Sequence, residues 1–172
     1  MDIQIKNLSV SFPSPKGDAK VLRNADIILK SGKITAIVGE SGSGKSILGA
    51  AVMGLLESSV RVSGEILFGN TDLLSLSEKE LNSIRGERIG WIAQDPVTAM
   101  DPMMKVGKQM MEGVHFYQNG KETKADGIRQ LEEFGLSDAQ RVWDAYPFGL
   151  SGGMAQRVLT CLLYTSDAAD EA

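Results

Sequence analysis

The sequence predicts an α/β protein: an N-terminal part of strands around one strand–loop–helix unit, then a helical subdomain. Three observations predict it. Two runs with strand-like apolar positions, "QIKNLSVSF" and "VLRNADIIL", open the 172-residue chain on either side of a Pro/Gly/Lys turn. A short β-branched run, residues 34–38, leads directly into a Gly/Ser loop and an apolar helical pattern. From Pro96 to Tyr146 the pattern turns helical and rich in methionine, with breaks at Pro102, Gly120 and Gly135. Strands first and helices after imply an α/β domain with an inserted or appended helical subdomain.

Each element follows from local chemistry. Ile3, Ile5, Leu8, Val10 and Phe12 are the apolar positions of the first strand. Residues 34–38 are apolar nearly throughout, which suits a strand covered on both faces. Residues 45–56 read as a helix with Ile47, Leu48, Ala51, Val52 and Leu55 on one face. "SGEILFGN" is a further strand between turns, and "RIGWIAQD" a strand ending at Gln94. Ser77 followed by Glu80 has the spacing of a capping box, so a helix starts near residue 78. "LSGGMAQRVLT" reads as a loop entering a new helix.

Composition narrows the function. With 18 basic and 22 acidic residues the formal charge is −4, so nothing points to a general nucleic-acid binder. No apolar run approaches the ~20 residues of a membrane-spanning helix, and "MDIQIKNLSVSF" lacks the basic and apolar blocks of a secretory signal. Cys161 is the only cysteine and cannot form an internal disulfide; His115 is the only histidine, with no local support for a metal site or a Ser-His-Asp triad.

"GESGSGKS", residues 39–46, carries the chemistry. It fits G-x-x-x-x-G-K-[ST] at Gly39, Gly44, Lys45 and Ser46, with Glu40, Ser41, Gly42 and Ser43 between. Glycines let backbone N–H groups turn inward around a phosphate with no Cβ in the way. A helix beginning at Lys45 adds its N-terminal N–H groups and positive dipole end. Lys45 supplies a point charge for the β- and γ-phosphates and Ser46 an oxygen for Mg²⁺. A flexible Gly/Ser turn is the bland alternative, which the preceding strand and following helix disfavour. A loop of this kind does not name a reaction.

A second motif, "LSGGMAQR", resembles the signature sequence of ABC-type ATPases. Ser151 stands as an N-cap, and Gly152 and Gly153 open the backbone at a helix start. The resemblance implies a P-loop NTPase core of the ABC type, with ATP and Mg²⁺ as ligands. It places Leu150, Ser151, Gly152, Gly153, Met154 and Gln156 against the γ-phosphate held by a partner's loop. It assigns Gln94 to the family's Q-loop, near Mg²⁺ and the attacking water; by itself Gln94 reads as a polar strand cap. It also makes Phe12 an aromatic that stacks on adenine, against the alternative of a core phenylalanine.

"GESGSGKS", "QDPVTAMDP" and "LSGGMAQR" together are similar to the peptide/nickel importer branch of that family, over residues 1 to about 160. Ala155 stands where a basic residue is frequent, and Phe148-Gly149 where the branch often has His-Glu. The resemblance implies an importer's ATPase subunit for a peptide, nickel or similar small solute. Its partners would be an identical or homologous ATPase subunit, two membrane permease subunits and, indirectly, a solute-binding protein. It would lie on the cytoplasmic face of the membrane. The alternatives are a soluble ABC ATPase outside transport and a non-catalytic nucleotide-binding fragment. Between Gln94 and Ser151 there are no heptads and no Cys pairs, which suits a compact subdomain that docks on a permease.

The expected division is 1–94 for the nucleotide-binding core, 95–160 for the helical subdomain and 161–172 for a non-native tail. "CLLYTSDAADE" resembles the one-frame translation of a sequencing-library adapter, which would make the chain a piece of a longer protein. Hydrolysis in this family also needs an apolar strand ending in Asp, a following Glu and a later His. Asp170-Glu171 imitates the acidic pair, but "YTSDAA" before it would put polar residues inside a sheet. Glu171 is therefore rejected as the catalytic base, and His115, preceding the signature, cannot be the later histidine. The 172 residues are expected to bind nucleotide without turning it over.

Overall fold

A computed structural model of the chain describes residues 1–85, 87–117 and 123–167. Strands β1 (Ile3–Phe12) and β2 (Ala19–Leu29) pair antiparallel, and β3 (Arg61–Phe68) pairs antiparallel with the other edge of β1. The short β4 (Thr71–Asp72) completes a four-stranded sheet of order β2-β1-β3-β4. Helix α1 (Lys45–Val52) interrupts the strand sequence. Apolar side chains at Ile5, Leu8, Val10 and Ile66 of the sheet and Leu48, Ala51 and Val52 of α1 are buried; Ile5 and Leu8, three residues apart, are both buried because the strand pairing slips between them.

A one-turn 3-10 segment, Leu73–Ser75, leads to α2 (Glu78–Asn82). There the expected capping box forms. The Ser77 backbone N–H and hydroxyl both donate to Glu80 Oε2, at 2.8 and 2.6 Å, and Glu80 N–H donates back to Ser77 Oγ.

The remaining elements are helical: α3 (Pro96–Ala99), α4 (Val106–Tyr117), α5 (Lys124–Glu133), α6 (Ala139–Asp144) and α7 (Gly152–Asp167). Their core includes Met110, Leu131, Val142, Trp143, Val158 and Cys161, all buried. Cys161, where the non-native tail was expected to begin, packs in this cluster, and α7 runs on to Asp167. Asp170-Glu171 and Gly120 lie outside the described residues. Among the described residues no helix is long and apolar enough to cross a membrane.

Two compact units result, Met1–Ser83 and Ile84–Ala172. This division falls before the boundary expected after Gln94, since "RIGWIAQD" forms no strand of the first unit.

Three expectations are corrected. Residues 34–38 form no strand: Ile34 is 101% and Val38 90% exposed. A β-branched run becomes a strand only where a neighbouring strand takes its hydrogen bonds, and among the described residues none is paired with it. For the same reason "RIGWIAQD" forms no strand; an isolated bridge joins Arg85 to Ile89, and Trp91 and Ile92 are 42% and 41% exposed. Helix α1 stops at Val52 rather than reaching residue 56. Gly54, at φ 61, turns the chain there, and Leu55 is 54% exposed.

Candidate functional site

The loop of residues 39–46 joins an irregular segment to α1. Gly42 (φ 81) and Gly44 (φ 91) hold left-handed conformations that other residues reach only at a cost. Gly44 is the N-cap of α1, and its carbonyl accepts the first helical bond, from Leu48 N–H at 2.9 Å. The two ends of the loop approach closely. A Cβ on Gly39 would stand 2.8 Å from Ser43 Oγ, and one on Gly44 would stand 2.7 Å from Leu22 Cδ2 and 3.3 Å from the Val21 carbonyl oxygen. Gly44 is thus required by space as well as by dihedral angle, Gly42 by its dihedral angle, and Gly39 by the room that Ser43 takes.

Lys45 reaches back across the loop. Its Nζ donates to the carbonyls of Gly39 and Glu40, at 2.8 and 2.7 Å, and to Ser43 Oγ at 3.2 Å. Helix α1 has no side-chain cap and no acidic residue in its first turn. In α2 and α5, by contrast, Glu80 and Asp126 occupy that place in capping boxes. An uncapped helix start, open glycine backbone and one ammonium make a donor set with positive potential, and these residues fit a phosphate group. Ser46, second in α1, is exposed, as are Glu40, Ser41, Gly42 and Ser43. Phe12 closes β1, half-buried, opposite Ala19 of β2.

The other predicted residues lie in the second unit. Gln94 is exposed in an irregular segment. Its neighbour Asp95 caps α3 by accepting from Val97 N–H at 3.1 Å and Thr98 N–H at 3.4 Å. Leu150 is buried, anchoring the start of the signature. Ser151 caps α7: its Oγ accepts from Met154 N–H at 3.4 Å and its carbonyl from Ala155 N–H at 2.8 Å. Around Gly152 and Gly153 an added Cβ would meet nothing within 4 Å, so backbone is presented to open space. Met154 and Gln156 are half-buried on α7. Arg157 donates to the Gly135 carbonyl at 2.9 Å and ties α7 to the end of α5.

Sequence reasoning missed three supporting residues. Leu22 and the Val21 carbonyl back Gly44 from β2, a long-range contact with no local pattern. Gln109 of α4 accepts from Asp101 N–H at 3.0 Å and donates to the carbonyls of Asp101 and Met104, at 3.1 and 2.9 Å, which shapes the turn after α3. A lone glutamine in a helical pattern gives no hint of this. Among the described residues no group of three or more His, Cys, Asp or Glu is placed to hold a metal.

Comparison with known proteins agrees with this arrangement. The ABC transporter family model matches residues 22–168. The oligopeptide transport ATP-binding protein OppD of Escherichia coli (strain K12) is 38% identical over 162 residues, covering 93% of this chain and 48% of that protein. The dipeptide transport ATP-binding protein DppD of Lactococcus lactis subsp. cremoris (strain MG1363) is 39% identical over 170 residues, 96% of this chain and 48% of that one. The chain spans about half the length of the curated relatives it matches. Among solved structures, the dimeric bacterial ABC transporter cassette MJ0796 superposes with a TM-score of 0.81 at 24% identity, over 95% of this chain and 69% of that one. The same cassette bound to ADP and Pi gives 0.76 at 23% identity, with the same coverage. The chain belongs to the ABC transporter family and has the α/β fold of its ATP-binding cassettes.

Proposed function

We propose that this chain is the nucleotide-binding part of an ABC importer's ATPase subunit, serving peptide uptake. The observation that carries the proposal is the uncapped start of α1 beneath Lys45, whose ammonium rests on the carbonyls of Gly39 and Glu40. The names of the relatives, oligopeptide and dipeptide transport ATP-binding proteins, support the cargo class.

In this reading the N–H groups of residues 39–46 and Lys45 bind the phosphates of ATP, and Ser46 takes Mg²⁺. Bound Mg-ATP supplies a phosphoanhydride bond with its charge partly neutralised. Phe12 stacks on the adenine, and Gln94 senses the nucleotide and passes its state to the helical subdomain. The backbone of Ser151, Gly152 and Gly153, with Leu150, Met154 and Gln156 around it, faces the nucleotide of a second ATPase subunit, identical or homologous. The dimeric state of a structural neighbour supports that pairing. Two permease subunits and, through them, a solute-binding protein complete the assembly on the inner face of the membrane. In this reading residues 1–94 form the nucleotide-binding core and 95–160 the docking subdomain, to whose buried cluster Cys161 adds its side chain.

For the 172-residue polypeptide the proposal is binding without turnover. Equilibrium binding of a fluorescent ATP analogue tests the first part. Removing a charge-assisted donor costs about 1.5–3 kcal/mol, so Lys45→Ala should weaken binding roughly 10- to 100-fold. Equal affinity in the variant sinks the assignment. Phosphate release above background, lost in Lys45→Ala, would falsify the absence of turnover.

A further inference from the structure

The sheet is bent at one level in all three long strands. Pairing of β1 with β3 slips between Lys6 and Ser9; pairing with β2 slips between Ile5 and Leu8, between Leu8 and Val10, and between Val10 and Ser11. Asn7 (φ 48) and Asn24 (φ 45) adopt left-handed conformations there, and Gly64 of β3 (φ 105) lies so close that a Cβ would stand 2.6 Å from the Lys6 and Asn7 carbonyl oxygens. Asparagine is one of the few non-glycine residues that occupy this region. Local bonds hold them. Asn24 N–H donates to Ser9 Oγ at 2.9 Å, Ser9 Oγ donates to Asn24 Oδ1 at 3.0 Å, and Asn7 N–H donates to Asp26 Oδ1 at 2.9 Å. Bulges of this kind bend strands and re-aim their side chains.

Beside the bend the sheet encloses a trough of about 490 Å³, inside the range of roughly 300–1,000 Å³ usual for small-molecule sites. Lys20 and Arg23 of β2 and Arg61 of β3 line it, with the hydroxyls of Ser9, Ser11 and Ser63. Asp18 fixes Arg61 by an ion pair at 2.5 Å. Among the described residues Lys20 and Arg23 have no ion-pair partner. Three cations converge here although the chain carries a net charge of −4, so the trough is a local positive focus and not part of a generally basic surface. The cations come from strands on both sides of β1, about 10 Å apart, which favours a ligand with more than one anionic group. Guanidinium and hydroxyl donors together suit phosphate oxygens. No residue of the loop 39–46 lines the trough; Leu22, whose side chain backs Gly44, lies in its wall.

We infer that this trough is a second anion site, separate from the Lys45 loop, for a small soluble ligand bearing two phosphate groups. Lys20 and Arg23 are its charged contacts without an ion-pair partner among the described residues, Arg61 its paired one, and Ser11 and Ser63 its hydroxyl donors. Residue-resolved NMR of the full chain, titrated with inorganic pyrophosphate, tests it. The amides of Ser9, Ser11 and Ser63 should shift with a midpoint distinct from that of residues 42–46, and should still shift in Lys45→Ala. Lys20→Ala and Arg23→Ala, both at exposed strand positions, should each weaken the trough midpoint about tenfold and leave the loop midpoint unchanged. Absence of shifts at the three serines overturns the site, as does their loss in Lys45→Ala or an unchanged midpoint in both trough variants. Because the loop amides are read separately, failure of the trough is distinguished from failure of the nucleotide reading.

Discussion

Gly107 of α4 faces the indole of Trp143 in α6 so closely that a Cβ on it would stand 2.2 Å from Trp143 Cε2. Gly127 of α5 approaches the other edge of the same ring, where a Cβ would stand 2.3 Å from Cζ3. One buried tryptophan thus occupies a notch that glycines on two helices leave open, and the backbones of α4 and α5 close on it. Glycine inside a helix ordinarily costs about 1 kcal/mol relative to alanine. Here the sign should invert. Gly107→Ala and Gly127→Ala should each destabilise the helical unit by about 1–3 kcal/mol through overpacking. Denaturant unfolding followed by tryptophan fluorescence measures it; a stabilised variant would show that the notch is not there.

Gly44 makes a similar prediction at the site itself. It combines a φ of 91° with contact to Leu22 and the Val21 carbonyl oxygen, so Gly44→Ala is strained by conformation and by space together. Stability should fall by about 1–3 kcal/mol. Nucleotide affinity should fall with it, although every charged group is retained. Comparing Gly44→Ala with Leu22→Ala separates the two causes. The double variant relieves the Cβ contact and should recover part of the lost affinity. No recovery would place the whole effect in the backbone dihedral.

Acid sensitivity follows from the caps. Hydrogen bonds from the Ser77 side chain, then its backbone N–H, hold the Glu80 carboxyl below its ordinary value. The Thr123 side chain and then its backbone do the same for Asp126, helped by the charge of Arg129. A carboxyl whose pKa is lower folded than unfolded binds its proton more weakly when folded. Its contribution is present above the unfolded pKa and is lost as pH falls through the folded one. Stability should therefore decline as pH drops below the ordinary carboxylate range, about 4, and less steeply in Glu80→Gln and Asp126→Asn. Carboxyl ¹³C titration should give midpoints below the model-peptide values; midpoints at or above them contradict the caps.

What the sequence disclosed, and what it did not, divides by the range of the interaction. The Ser77–Glu80 capping box, the start of α1 at Lys45 and the turn at Gly54 are decided within a few residues, so spacing reveals the first two. Strands β1 and β2 were legible because a hairpin supplies each with its partner from nearby chain. Residues 34–38 and "RIGWIAQD" have strand-like composition too, but composition cannot supply a ladder partner, and the described residues give them none. The fit of Trp143 against Gly107 and Gly127 joins three elements far apart in sequence, and no pattern announces it. At the candidate site the loop residues were read from their order alone. Leu22 behind Gly44 was not, for the same reason of distance.

Ser151 carries the prediction that separates structure from function in the signature. Its hydroxyl accepts from Met154 N–H at 3.4 Å, a capping role that any short oxygen acceptor can fill. Ser151→Ala should therefore lower stability by about 0.5–2 kcal/mol, and Ser151→Asp should restore it, since a carboxylate at a helix start both accepts the bond and complements the dipole. The proposed second role has the opposite charge requirement. A residue that faces the phosphate of a partner's nucleotide cannot be an anion without repelling it. In a subunit assembled with its partner, Ser151→Asp should keep the stability of wild type and lose nucleotide-dependent dimerisation. Thermal unfolding and ATP-dependent association by sedimentation, read on the same three proteins, give the result. If Ser151→Asp dimerises as well as wild type, the hydroxyl is a cap and nothing more.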